Sequence, residues 1–126
     1  MTELLDIPGT PALDIRNQCS GFVYGMQVAD AWIRSGLYNN VLFIGSEVHS
    51  TGLDVSTRGR DVSVIFGDGA GAVVFGASDD ENEGILQTTV GADGKYAKEL
   101  WVELPNSRHD PRLWPEAMDE GRHYPR

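Results

Sequence analysis

The sequence predicts an α/β fold, and three observations carry that prediction. A short apolar run at Ala12-Leu13-Asp14-Ile15 reads as a strand over 12–16. Residues 20–36 carry Phe22, Met26, Ala29, Ile33 and Leu37 at three- and four-residue spacing, the period of a helix. Val41-Leu42-Phe43-Ile44-Gly45 is a continuous apolar run bounded by polar residues, as expected of a central strand buried on both faces of a parallel sheet. Strand, helix and strand in that order predict a right-handed crossover.

The elements follow in chain order. Residues 1–11 contain Pro8-Gly9-Thr10-Pro11 and no periodicity, so they read as a connection into the first strand. In the helix, Val23, Val28 and Trp32 widen the apolar face, which predicts burial on more than one side. Gly21 and Gly25 lie one turn apart on one face and predict the close approach of another backbone. Gly36 fits the glycine that ends a helix. Residues 46–61 are polar and turn-rich. His49 reads there as a solvated loop residue, and Glu47, just past a strand end, stands either where ligands gather or as a loop-backbone partner.

Val62-Ser63-Val64-Ile65-Phe66 reads as a further strand, joined by a tight turn at Gly67-Asp68-Gly69 to the strand that follows. The glycines there do not make a nucleotide loop, because no Lys-Ser/Thr follows and the next stretch is a strand. Asp79 to Glu83 is an acidic surface turn, and 84–90 reads as one more strand. Residues 92–126 are mostly irregular, with a helical turn over 115–121 that has proline first and glycine last.

Composition excludes several function classes. The chain has 126 residues and a formal charge of -9, enough for one modest domain. Residues 1–78 hold four arginines, no lysine and eight acids, and 79–126 hold six bases and eleven acids, so no basic stripe suits a nucleic acid. No apolar run reaches membrane-spanning length, and the N-terminus lacks the pattern of a signal peptide. A single cysteine excludes an internal disulfide and a multi-cysteine metal site, and the expected compartment is the cytoplasm.

That cysteine, Cys19, lies where the first strand is expected to turn into the helix. A thiol at such a place faces unpaired N–H groups and the positive end of the helix dipole, a field that favours a thiolate nucleophile. A lone cysteine is also commonly a small buried hydrophobe. Position and composition alone leave both readings open.

Three stretches resemble the ketoacyl synthase III family, that is, β-ketoacyl-acyl carrier protein synthase III and its thiolase-fold relatives. The first is Leu13-Asp14-Ile15-Arg16-Asn17-Gln18-Cys19-Ser20-Gly21-Phe22, similar to the family's nucleophile motif. The second is Val41 to Val48, the strand that follows, and the third is Arg60 with Phe66-Gly67-Asp68-Gly69-Ala70-Gly71-Ala72. The resemblance covers about residues 12–126. It implies part of a thiolase-like fold, the later part of its N-terminal half, with a mixed sheet packed by the helix after Cys19. It divides the chain into a truncated lead-in over 1–11, the nucleophile strand-helix and glycine-rich hairpin over 12–91, and an irregular connection over 92–126 toward a missing C-terminal half.

The resemblance also implies the chemistry. Cys19 takes an acyl group from acyl-CoA, and the acyl-cysteine condenses with malonyl-acyl carrier protein in fatty-acid or related biosynthesis. The Cys19 backbone N–H helps form an oxyanion hole. Arg60 matches a substrate-binding arginine near the coenzyme A entrance, and a surface ion pair is its alternative. The implied partners are acyl-CoA, acyl carrier protein and, in the intact enzyme, a second copy of the chain. Nucleic acid, membrane, metal and cofactor are not implied, acyl-CoA being a substrate.

The family's histidine and asparagine, read in Asn-Pro-His and Asn-Thr-Ser contexts, have no counterpart here: His49, His109 and His123 all lie in other contexts. The expectation is therefore a fragment that is inactive in condensation alone. Two alternatives remain, a piece that only accepts an acyl group and a non-catalytic dimerisation or interaction fragment. Missing strands also predict exposed apolar faces and marginal stability or aggregation.

Overall fold

The computed structural model describes the whole chain, Met1–Arg126. Its elements are helix α1 (Gly21–Arg34), strand β1 (Asn40–Glu47), helix α2 (Arg60–Ser63), strand β2 (Gly69–Gly76) and helix α3 (Pro115–Asp119). Single 3-10 turns lie at Ser50–Gly52 and Gly94–Tyr96. The chain divides into two compact units, one of residues 1–45 with 72–90 and one of 46–71 with 91–126.

In the first unit α1 follows the pattern of its sequence. It ends in a complete glycine cap: Gly36 is at φ +73°, its N–H donates to Ile33 O at 3.0 Å, and Leu37 N–H donates to Trp32 O at 3.0 Å. That pair of bonds uses carbonyls the helix end would otherwise leave unpaired, and only glycine adopts the left-handed turn without strain. At Gly25 the close neighbour is a side chain and not the expected backbone: a Cβ there would run into the Phe43 ring of β1. Gly21 shows no such contact, so the two glycines differ in role. Phe22 meets the same Phe43 ring edge-on at a centroid distance of 5.5 Å.

β1 and β2 form a two-stranded sheet. The first residue of β1, Asn40, lies against the last of β2, Gly76, and His49, just past β1, bonds to Asp68, just before β2. The strands therefore run antiparallel.

Several sequence expectations are corrected. Residues 12–16 form no strand, because no neighbouring strand supplies a hydrogen-bonding ladder, and with them goes the parallel crossover. Residues 62–66 are not a strand either. Their first half lies in α2, whose N–H groups bond locally: Ser63 N to Gly59 O at 2.8 Å and Ile65 N to Val62 O at 3.1 Å. A short apolar run does not distinguish helix from strand by its period. Gly67-Asp68 accordingly joins a helix to β2 and closes no hairpin. Residues 84–90 pair with nothing as a strand, and the sheet is two-stranded in place of the expected mixed sheet.

Burial is also much thinner than the apolar runs suggest. β1 has no fully buried residue, and α1 buries only Gly25 and Ala29. A two-stranded sheet has too little area to cover a helix on two sides. The only buried hydrophobic side chains are Ala29, Leu104 and Ala117, while Val64 and Ile65 are 78% and 65% exposed. The accessible surface is 10071 Å², against about 6,600 Å² for a folded monomer of this mass.

The second unit has its own small centre. Leu104 and Ala117 are fully buried. α3 starts with Pro115 and ends two residues before Gly121, at φ +70°, as the proline-first, glycine-last pattern predicts. Glu103 gathers the C-terminal arginines, with Arg122 Nη2 at 2.5 Å on one oxygen and the Arg126 guanidinium on the other. Trp101 and Arg126 exchange both backbone hydrogen bonds at 3.1 Å.

Candidate functional site

Cys19 lies in the first unit, in a turn over Gln18–Ser20 directly before α1. Gly21 N–H closes that turn on Gln18 O at 3.0 Å, and Ser20 takes the N-cap position without a side-chain cap. The thiol is free and exposed. The Ser20 carbonyl accepts from both Val23 and Tyr24, while no protein acceptor engages the backbone N–H of Cys19. A reactive atom at this position stands at the donor-rich end of a 14-residue helix, where a developing negative charge is favoured.

Arg60 belongs to the second unit and is the first residue of α2. Its side chain is 72% exposed, and its one ionic neighbour is Asp61 at 3.4 Å. A long, solvated contact of that kind contributes little, so the guanidinium is available to an anion. The arginine two residues earlier behaves differently. Arg58 Nε donates to Asp54 Oδ2 at 2.6 Å and its Nη1 donates to Asp119 O at 2.9 Å. Asp54 is the one buried charged residue. Hydrogen bonds from Ser56 and Arg58 hold its carboxyl down at about 2.

The loop after β1 has a second anchor. Asp68 Oδ1 accepts from His49 N at 2.7 Å and Ser50 N at 2.8 Å, and Oδ2 accepts from Ser50 Oγ at 2.6 Å. The bonds from Ser50, aided by that from His49, hold the Asp68 carboxyl below the usual carboxylate range. His49 stays partly exposed, as its loop suggested, and it also has partners. Its Nε2 lies 3.0 Å from Glu47 Oε2, and its ring stacks on Phe66 at 4.6 Å. A shallow, open groove beside them is lined by Ser46, Glu47, Val48, Asp68, Gly69 and Ala70, and contains neither Cys19 nor Arg60.

The other histidines contact aromatic rings: His109 meets Trp114 at 5.3 Å and His123 packs on Tyr124 at 4.0 Å. No group of three or more His, Cys, Asp or Glu side chains gathers to hold a metal ion. No helix is long and apolar enough to cross a membrane. Sequence reasoning missed Asp54 and Asp68. Asp54 did leave a local signal, with Ser56 two residues and Arg58 four residues ahead of it. Asp68 left none, its partners being 18 and 19 residues away.

Comparison with known proteins decides the family. The family model for 3-oxoacyl-[acyl-carrier-protein] synthase III matches residues 13–94. The chain belongs to that family. The matched stretch contains both Cys19 and Arg60. Among similar curated proteins, β-ketoacyl-[acyl-carrier-protein] synthase III 1 of Vibrio vulnificus is 46% identical over 110 residues, covering 87% of this chain and 34% of the relative. The corresponding synthase III of Aliivibrio fischeri is 45% identical over 107 residues, covering 85% and 32%.

Solved structures agree. A synthase III from Pseudomonas aeruginosa matches with a TM-score of 0.77 at 32% identity, over 99% of this chain and 36% of that one. One from Thermus thermophilus matches with a TM-score of 0.65 at 39% identity, over 71% and 27%. The chain thus has part of the synthase III fold and spans about a third of the length of the curated relatives it matches.

Proposed function

We propose that this chain is the nucleophile-bearing part of a synthase III-type condensing enzyme. The observation that carries the reading is Cys19, exposed at the start of α1 inside the stretch that matches the family. In the proposed step the Cys19 thiolate attacks the carbonyl of an acyl-CoA thioester. The carbonyl carbon–sulfur bond to coenzyme A breaks, an acyl-cysteine forms, and coenzyme A leaves as a thiol with the proton Cys19 gave up. The helix end and the unengaged Cys19 N–H stabilise the charge that develops on oxygen. Arg60, exposed and weakly paired, receives the anionic part of the donor.

In the intact enzyme malonyl-acyl carrier protein then loses carbon dioxide, its carbanion attacks the acyl-cysteine carbonyl and the Cys19 thiolate leaves, in fatty-acid biosynthesis and in a homodimer with residues 12–91 in the N-terminal half of a thiolase-like fold. The 126 residues as they stand carry no histidine or asparagine in the family's contexts, so they accept the acyl group without condensing it. The exposed apolar surface favours a second reading, an interaction fragment that acts by covering that surface on a partner. Both are tested by incubating the chain with acetyl-CoA and malonyl-acyl carrier protein and following the intact protein mass and the condensed product. The proposal expects a single acetyl group on the chain, lost in Cys19→Ser, and no product. An unmodified chain, beside a full-length relative that is modified under the same conditions, leaves the interaction reading.

A further inference from the structure

The segment that leads into Arg60 is closed on itself by hydrogen bonds. Asp54 is buried at 9% exposure. It accepts from Ser56 N at 3.0 Å and from Arg58 Nε at 2.6 Å. Gly59 packs so tightly on it that a Cβ there would strike the Asp54 carbonyl. Arg58 reaches on to Asp119 O at 2.9 Å, and Gly121 lies so close that a Cβ would come within 2.5 Å of the Arg58 guanidinium carbon. Five residues from Asp54 to Arg58 are thus closed into a knot and pinned to the end of α3. The next residue but one after Arg58 is Arg60, whose own side chain has only a long, exposed contact to Asp61.

We propose that Asp54 is a positioning residue for Arg60, and that the Asp54–Arg58 knot, buttressed by the Asp119–Gly121 end of α3, holds the arginine where an anionic thioester donor is received. This rests on the reading of Arg60 under the proposed function. A free loop carrying Arg60 would lose conformational entropy each time the donor bound; a loop fixed beforehand does not. The Asp54 carboxyl, held at about 2 by Ser56 and Arg58, stays ionised and keeps its grip on Arg58 at every working pH. The division between the two arginines follows. Arg58 is consumed in structure, with a short bond to a buried acid, and Arg60 is left for the ligand.

The test uses the full 126-residue chain, coenzyme A as the binding probe and acetyl-CoA as the donor. Arg60→Gln, Asp54→Asn, Gly121→Ala and the double variant Asp54→Asn/Arg60→Gln are compared with the parent. Loss of one charge-assisted contact corresponds to about a tenfold weaker coenzyme A affinity in Arg60→Gln. Asp54→Asn and Gly121→Ala are each expected to show a loss of similar size, with the extent of Cys19 acetylation at saturating donor unchanged. The double variant is expected to bind no more weakly than Arg60→Gln alone, which a merely structural role for Asp54 would not produce.

Parent-like binding in both Asp54→Asn and Gly121→Ala overturns the inference, as does a double variant whose losses add. Should Asp54→Asn fail to fold, Gly121→Ala, whose Cβ meets the Arg58 guanidinium, decides alone. A parent that takes up acetyl on Cys19 but shows no variant effect refutes the positioning role and spares the function. A parent that binds coenzyme A with the expected variant pattern but never acetylates Cys19 refutes the function and spares the positioning role. A parent that binds no coenzyme A overturns the positioning role.

Discussion

Replacing Gly25 by alanine sets two opposed effects against each other, and the structure decides the sign. In a helix interior, glycine to alanine ordinarily stabilises by about 1 kcal/mol. Here the new Cβ would overlap the Phe43 ring, which also meets Phe22 edge-on at 5.5 Å. Overpacking of this kind costs about 1–3 kcal/mol, and a ring forced aside also loses about 0.5–1 kcal/mol of edge-to-face contact. The net expectation is destabilisation by about 1–2 kcal/mol. At about 4 °C per kcal/mol for a chain of this size, the thermal midpoint falls by about 4–8 °C.

The assay is far-UV circular dichroism at low protein concentration, with Gly21→Ala as the control. Gly21 has open space where its Cβ would go, so its variant is expected at or slightly above the parent midpoint. In a Phe43→Ala background the clash is gone, and Gly25→Ala should then raise the midpoint. A Gly25→Ala variant as stable as the parent, or the same effect in both backgrounds, refutes the packing of α1 on β1 through Phe43.

The Asp54, Asp68 and Glu103 carboxyls are all held below their ordinary values, Asp54 at about 2 by Ser56 and Arg58, Asp68 by Ser50 and Glu103 by Arg122. Folding therefore gains from their ionised forms; that gain is complete above about pH 4, the ordinary carboxylate value, and is lost as pH falls toward 2. Fluorescence of Trp101 and Trp114 against pH should show an acid transition in that window, shallower in Asp54→Asn; a signal flat down to pH 2 contradicts it. Glu103→Gln removes the charge that gathers Arg122 and Arg126, so the C-terminal segment should become faster to exchange its amide hydrogens around Trp101, and unchanged protection there argues against that role for Glu103. The surplus of accessible surface, 10071 Å² against about 6,600 Å², predicts concentration-dependent association and dye binding by the isolated chain, whereas a sharp cooperative transition from a monomer at high concentration would contradict it.

Local features were legible in the sequence. α1 announced itself by its period and by Gly36, and the structure turns there at φ +73° with the expected pair of cap bonds. β1 was legible as an apolar run between polar flanks, and α3 by proline before and glycine after. What failed depended on partners elsewhere. Residues 12–16 have strand composition but no ladder to join, and a strand exists only as part of a sheet. Val62 to Phe66 has no period to separate helix from strand, and its neighbour Gly59, fixed on Asp54, starts a helical turn instead. The burial of β1 was overestimated because an apolar run reports what a sheet would cover, and this sheet has two strands.

The candidate site divides in the same way. Cys19 was found because its place between a turn and a helix is a local property of the chain. Arg60 was found through a motif, and nothing local separated it from Arg58. Only the distances do so: Arg58 is bound to a buried acid at 2.6 Å, while Arg60 stands 72% exposed. Asp68 lies in the most recognisable glycine-rich stretch of the chain, yet what it holds is a 3-10 turn 18 residues earlier.

The most direct test of the central claim is to map which side chain carries the acyl group after brief exposure to acetyl-CoA. The chain is digested and sequenced by mass spectrometry, beside a sample whose thiol was first blocked with iodoacetamide. Acetyl is expected on Cys19 alone, and none in the blocked sample. Acetyl on Lys95 or Lys98 with Cys19 untouched, or labelling that survives the block, would contradict it.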